Sequence, residues 1–162
     1  MKKRINQLVF GFILLIGFVS CDSDVIYTEY QPVDNSVWSY DDPKSFSFEM
    51  KEDTVPVKIF INLRTTTDYP YSNIFMYLTS DFPNGYHDKD TLEFFLAKPN
   101  GEWLGEVSGT VIENTALITK GYLTTKGKYN FILEQAMYND SLPEILDVGM
   151  TVKYLDLDEV SE

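Results

Sequence analysis

The sequence is poor in the residues from which catalytic and metal sites are built. It contains one cysteine and one histidine in 162 residues. A Ser-His-Asp triad would have to use His87, and no nucleophile-elbow motif accompanies it. Zinc sites need several Cys or His ligands, and the turn that carries Asn84, Asp88 and Asp90 lacks the spacing of an EF-hand calcium loop. We therefore expect no enzymatic activity, no metal and no other cofactor.

The single cysteine follows an export signal. Lys2, Lys3 and Arg4 precede the apolar run Val9–Val19, which is shorter than the roughly 20 residues of a membrane span. Ser20-Cys21 resembles the end of a lipobox, and a lone cysteine in an exported chain has no disulfide partner. We predict a lipoprotein signal peptide over residues 1–20 and lipidation of Cys21. The alternative is an ordinary cleaved signal with a leftover cysteine.

The predicted anchor fixes the expected location. Acyl chains on Cys21 would hold the protein permanently on a membrane, because two hydrophobic anchors suffice where one is marginal. Residues 21–25 form a short acidic tether. We expect a cell-envelope protein, lipid-anchored to the outer membrane on the periplasmic side.

Positive charge is scarce beyond the signal peptide. The chain has 13 Lys and Arg against 25 Asp and Glu, and removing Lys2, Lys3 and Arg4 leaves ten, a net charge of −15 for the mature chain. Nucleic acids are bound through Lys and Arg that displace counterions, so no nucleic-acid partner is expected. The acidic surface also repels anionic headgroups, so contact with the membrane should run through the lipid anchor.

Apolar and polar residues alternate along much of the remaining chain, which is the pattern of half-buried strands. We also predict a short strand over Val107–Val111 and a turn at Lys120-Gly121. No stretch sustains a helical period. The residues expected in the core are Phe46, Phe48, Ile59, Ile61, Leu63, Phe131, Leu133, Met150 and Val152.

About eight strands separated by turn signals predict an all-β fold. We expect a single antiparallel β-sandwich of jelly-roll or related Greek-key type with little helix. The domain is predicted over residues 26–155. Residues 156–162, with four acids and no base, are expected to form a disordered acidic tail.

Five residues are candidates for contact with a partner. Arg64 is the one arginine of the mature chain, and its planar fork suits a carboxylate; a structural ion pair is the alternative to a partner contact. Tyr69, Tyr71 and Asn73 lie in an aromatic loop between two strands, where binding residues are common, although tyrosines covering a core edge have the same sequence. Trp103, in a turn-rich segment, is either an exposed platform or a plug at the sandwich edge.

Short motifs spread over the whole chain point to a family. They follow the lipobox at Cys21 in this order: Trp38, Phe46-Ser47-Phe48 leading to Asp53, Asn62-Leu63-Arg64, Tyr69-Pro70-Tyr71-Ser72-Asn73 with Phe75, Phe82-Pro83-Asn84-Gly85, Asp90-Thr91-Leu92-Glu93, Ala97 to Gly105, Gln135-Ala136-Met137 and Asp147-Val148-Gly149. In number, order and overall length they resemble the GldH gliding-motility lipoproteins of Bacteroidetes.

The resemblance implies an accessory lipoprotein of the gliding-motility machinery, which is linked to type IX secretion. It implies no enzymatic activity, and it implies partners among the protein components of that machinery. The alternative is a surface glycan-binding lipoprotein that uses loop aromatics, namely Tyr69, Tyr71, Trp103 and Tyr122. Coplanar loop aromatics would favour that alternative, and buried ones would not.

Overall fold

The computed structural model describes residues 24–156, so the predicted signal peptide, Cys21 and residues 157–162 lie outside the described part. Eleven strands and one 3-10 turn, Asp34–Ser36, make up its secondary structure. The strands are β1 (Val25–Pro32), β2 (Val37–Ser39), β3 (Lys44–Met50), β4 (Val55–Thr66), β5 (Asn73–Asp81), β6 (His87–Phe95), β7 (Glu106–Ser108), β8 (Val111–Leu123), β9 (Gly127–Gln135), β10 (Ser141–Pro143) and β11 (Ile145–Tyr154).

The strands form two facing antiparallel sheets and a small third one. The first sheet, sheet A, has the order β1-β11-β4-β8-β7, and the second, sheet C, has the order β3-β9-β5-β6. Strands β2 and β10 pair with each other as a small two-stranded sheet, sheet B. Without the three strands of three residues, the remaining eight follow the order of a jelly roll. The predicted all-β sandwich is confirmed, with eleven strands rather than about eight.

The core lies between the inner faces of sheets A and C, where the predicted alternation places it. All nine residues expected in the core are buried, and Trp38 joins them with no exposed surface. Phe48 stacks on Tyr129 at 5.6 Å and on Phe131 at 5.9 Å between ring centroids. Burying one large apolar side chain contributes about 1.5–3 kcal/mol. Burial of the apolar face of each alternating strand is therefore the main stabilising contribution to the fold.

Two local predictions are wrong. The residues from Val107 to Val111 do not form one strand, because β7 ends at Ser108 and β8 begins at Val111. Gly109 makes the turn between them with a positive φ of 64°, which glycine adopts without strain. The expected turn at Lys120-Gly121 is absent, since β8 runs straight through both residues and Gly121 lies opposite Val57 of β4.

Candidate interaction surface

The sandwich has two distinct ends. Val25, the first strand residue, pairs with Lys153, and Val55 pairs with Leu123 at the same end. We call this the proximal end, because it carries the start of the described chain. The opposite, distal end carries the segments 33–43, 67–72, 96–105, 109–110 and 136–144. The tyrosine loop and the Trp103 segment therefore share the end that faces away from Val25.

The tyrosine loop is packed rather than open. Tyr69 is 4% exposed, its hydroxyl donates to the backbone oxygen of Asn73 at 3.3 Å, and burial raises its pKa. Its ring meets that of half-buried Tyr71 edge-on, with planes 71° apart. Asn73 donates from its amide to Glu93 at 2.7 Å. These side chains hold the loop in place and do not form a coplanar platform.

Trp103 is half-buried and packs against the core. Its backbone bridges to Ala97, and the Leu104 amide donates to the Leu96 oxygen at 2.8 Å. The segment between them turns at Gly101, whose φ is +84°. Leu104, which follows Trp103 in the chain, is exposed. The fold therefore uses Trp103 to plug the sandwich edge and presents Leu104 to solvent.

Arg64 makes the structural ion pair that its fork favours. Its Nε lies 2.9 and 2.8 Å from the two carboxylate oxygens of Asp147, and an Nη atom contacts the second of them. The Asp147 side chain is 7% exposed and that of Arg64 is 45% exposed. The hydrogen bonds that Arg64 donates to Asp147 raise the Arg64 pKa above its ordinary value. The guanidinium also lies 5.9 Å from the ring centroid of Tyr30.

The distal end exposes apolar side chains that are not among the candidates predicted from the sequence. Tyr138 is fully exposed. Tyr40 lies in the neighbouring segment, where its backbone amide donates to the backbone oxygen of Asp140 at 3.0 Å. Phe95 and Leu104, at the same end, are more than half exposed. Large exposed apolar groups mark interaction sites when they cluster. No local sequence signal distinguishes these residues from core residues, because they lie in loops and at strand ends, where the alternation of apolar and polar residues stops.

The proximal end contains the single histidine. The Nδ1 atom of His87 lies 2.6 Å from the Asp81 carboxylate, and Asn130 donates to the other oxygen of Asp81 at 3.1 Å. Hydrogen bonding from His87 and then from Asn130 lowers the Asp81 pKa. Within residues 24–156 no group of three His, Cys, Asp or Glu side chains is placed to hold a metal ion. The same residues include no helix that is long and apolar enough to cross a membrane.

Residues 25–152 match the family model described as GldH lipoprotein. The chain belongs to the GldH lipoprotein family. Two relatives agree with this membership over nearly their whole length. The gliding motility lipoprotein GldH homolog of Christiangramia forsetii is 33% identical over 164 residues, which cover 96% of this chain and 99% of the relative. The gliding motility lipoprotein GldH of Flavobacterium johnsoniae is 31% identical over 155 residues, covering 90% of this chain and 96% of the relative.

Similarity to solved structures is weak for this GldH family member. Dimeric latent PorU from Porphyromonas gingivalis has a TM-score of 0.34 and 10% identity, with 85% of this chain and 14% of that chain covered. The structure of infectious bursal disease virus, Gx strain, has a TM-score of 0.25 and 11% identity, with 85% and 34% covered.

Membership of the GldH lipoprotein family confirms the resemblance found in the sequence. The family description as lipoprotein agrees with an acylated cysteine at the end of the signal peptide. Cys21 itself lies outside the described residues, and its lipidation stays a prediction. Among the candidate residues, Tyr69 and Arg64 are held by contacts within the domain.

Proposed function

We propose that this chain is a lipid-anchored envelope protein of the gliding-motility machinery that acts by holding protein partners at its distal end. It is a non-enzymatic accessory, linked to type IX secretion and tethered to the outer membrane on the periplasmic side. The names of its relatives as gliding motility lipoproteins support the motility assignment. The protein-binding mode is supported by the surface of the domain.

The observation that carries this mode is the exposed apolar surface at the distal end. Tyr138 and Leu104 project from loops that backbone hydrogen bonds fix to the sandwich, such as the bond from Leu104 to Leu96. A fixed loop loses little conformational entropy on binding, so its exposed apolar groups can contribute most of their burial energy. Aromatic residues are also enriched at the centres of protein interfaces.

In this proposal, a short tether at the proximal end keeps the distal surface away from the membrane. Cys21 precedes Val25 by four residues, which span at most about 14 Å when extended. Strand β11 has ten residues and is about 33 Å long at the usual rise. The distal end would therefore face away from the membrane, toward proteins in the same envelope space. Anchoring to the same membrane would raise the effective concentration of the distal end at those proteins.

The non-enzymatic part of the proposal is supported by the sequence and by the place of His87. This side chain is bound to Asp81 at a hairpin of the proximal end, in a geometry that also orders Asn130. These contacts stabilise the hairpin between β5 and β6, and they account for the position of His87 without a role in binding a substrate.

Two substitutions at the distal end and one control at the proximal end test the distal surface. Tyr138→Ser and Leu104→Ser remove exposed apolar groups at the distal end, and Tyr86→Ser removes an exposed tyrosine at the proximal end. Each variant replaces the native copy in the host. Secretion of a type IX cargo protein, surface spreading and thermal unfolding of the purified protein are then measured.

We expect the two distal variants to fold normally and to reduce secretion or spreading, while Tyr86→Ser behaves as wild type. Exposed positions contribute little to stability, so melting temperatures should remain within about 2 °C. Wild-type secretion and spreading in the Tyr138→Ser, Leu104→Ser double variant would contradict the proposal. So would an equal loss of function in Tyr86→Ser.

A further inference from the structure

The outer face of sheet A, opposite the core, is concave. It forms a groove of about 940 Å³ that crosses strands β1, β11, β4 and β8. Register shifts interrupt all three of the strand pairs involved, between Val25 and Tyr27, Ile145 and Asp147, and Ile59 and Phe60. Such bulges bend a sheet and increase its twist. The groove is therefore built into the backbone, and its size is within the range of small-ligand sites, about 300–1,000 Å³.

Among the residues that the structure describes, none on the central floor of the groove is charged. Its central side chains are Thr28, Thr151, Asn62 and Thr115, and Gly149 lies between Tyr30 and Asn62 without a side chain. Outward faces of sandwich sheets are normally solvated and rich in charge, and this chain has 25 acids. The charged residues that the described part of the chain contributes to the groove, Asp24, Lys58, Lys153 and Asp156, all lie at its proximal end. A charged ligand group on this floor would lose its water without gaining a counter-ion, so a neutral ligand fits best.

The floor groups form one hydrogen-bond chain across four strands. Thr115 donates to the Asn62 oxygen at 3.1 Å, the Asn62 amide donates to Thr151 at 2.8 Å, and Thr151 lies 3.0 Å from Thr28. Asn62 is 3% exposed, whereas Thr115 and Thr28 are exposed at the two ends. When Thr151 donates to Thr28, the chain runs in one direction. Thr115 then offers lone pairs to a ligand and Thr28 offers its hydroxyl proton.

Aromatic groups flank this chain in fixed positions. Tyr30 extends over Gly149, where an added Cβ would lie 2.8 Å from the ring. Its hydroxyl donates to Glu113 at 3.2 Å, and Arg64 lies over its ring. Phe60 lines the groove from β4, between Lys58 and Asn62. Hydroxyl and amide groups beside aromatic faces match a molecule with many hydroxyls and apolar C–H faces.

We propose that this groove binds a neutral oligosaccharide. The three strand spacings between Thr28 and Thr115 span about 14 Å, which is longer than one sugar ring, so a chain of sugars fits better than a monosaccharide. A polypeptide strand is less suited, because the central floor strands β11 and β4 are paired on both sides and offer a ligand side-chain groups rather than backbone groups. The groove lies apart from the distal loops that contain Tyr69, Tyr71 and Trp103. Its test is therefore independent of the proposed function.

Isothermal titration calorimetry tests this site. The mature lipidated protein is purified in a detergent without a sugar headgroup and titrated with short oligosaccharides of glucose, mannose, xylose and N-acetylglucosamine. We expect at least one of them to bind with a Kd below about 1 mM. Thr115→Val removes the accepting lone pairs without changing the shape and should weaken binding about tenfold. Thr91→Val, an exposed threonine on the outer face of sheet C, should bind as wild type.

Three results would overturn the proposal. The first is the absence of binding to every neutral oligosaccharide. The second is equal affinity of Thr115→Val and wild type while both retain the same melting temperature, which would place any sugar site elsewhere. The third is binding of an uncharged Ser/Thr-rich peptide, with none of the sugars bound, which would assign the groove to a polypeptide.

Discussion

Substituting Arg64 by lysine distinguishes a structural ion pair with Asp147 from a contact with a partner protein. Lysine keeps the charge but loses the planar fork that reaches both oxygens of Asp147. Hydrogen bonds to charged groups contribute about 1.5–3 kcal/mol each when well made. The Arg64 side chain is 45% exposed, and solvent screening reduces such contributions. We therefore expect Arg64→Lys to lower the free energy of unfolding by about 1–2 kcal/mol.

Arg64→Ala should cost more, because it leaves the Asp147 carboxylate, 7% exposed, without a partner. Breaking a fully buried pair costs about 3–5 kcal/mol, and the partial exposure of Arg64 brings the expected loss to about 2–4 kcal/mol. A double-mutant cycle with Asp147→Ala, followed by urea unfolding, isolates the coupling between the two side chains. Coupling near zero, with unchanged stability of Arg64→Lys and loss of co-purifying proteins, would refute the structural role.

Three further changes test other parts of the structure. Gly149→Ala places a Cβ 2.8 Å from the Tyr30 ring and 3.1 Å from the Glu29 oxygen and should cost about 1–3 kcal/mol in thermal unfolding, whereas Gly121→Ala, which meets no atom within 4 Å, should not destabilise. Asp81 has a pKa below its ordinary 3.8, so it stabilises the fold above that pH and loses this contribution as the pH falls below it; melting temperatures in acid should fall less steeply for Asp81→Asn than for wild type. Cys21→Ser should leave the melting temperature unchanged and abolish incorporation of a palmitate analogue; a wild-type protein that takes up no label would disprove lipidation.

The sandwich could be predicted from the sequence because its long strands each have one wet face. In β3, Phe46 and Phe48 alternate with serines, and their burial follows directly from the period of two. The bounds of the three-residue strands β2, β7 and β10 could not be predicted, since so short a segment shows no alternation of apolar and polar residues. Gly121 and Gly109 show the same limit: one lies inside a strand and the other makes a turn, and only the partner strand or the backbone angle distinguishes them.

The candidate sites were harder to predict because they depend on contacts between distant parts of the chain. The carboxylate partner of Arg64 was expected, but its identity as Asp147 follows from the pairing of β4 with β11. Tyr69 is buried, and a loop tyrosine that covers a core edge has the same local sequence as an exposed one. The groove on sheet A needs Gly149 beneath Tyr30 and bulges in three strand pairs, which no alternation pattern encodes.

The distal end of the anchored sandwich is proposed to hold protein partners of the motility machinery. Photo-crosslinking in living cells tests it most directly, with benzoylphenylalanine in place of Tyr138 at the distal end or of Tyr86 at the proximal end, both exposed. We expect discrete protein adducts from position 138 that disappear in the Cys21→Ser background, and few or none from position 86. Adducts from position 86 alone, or none from position 138 in the anchored protein, would contradict it.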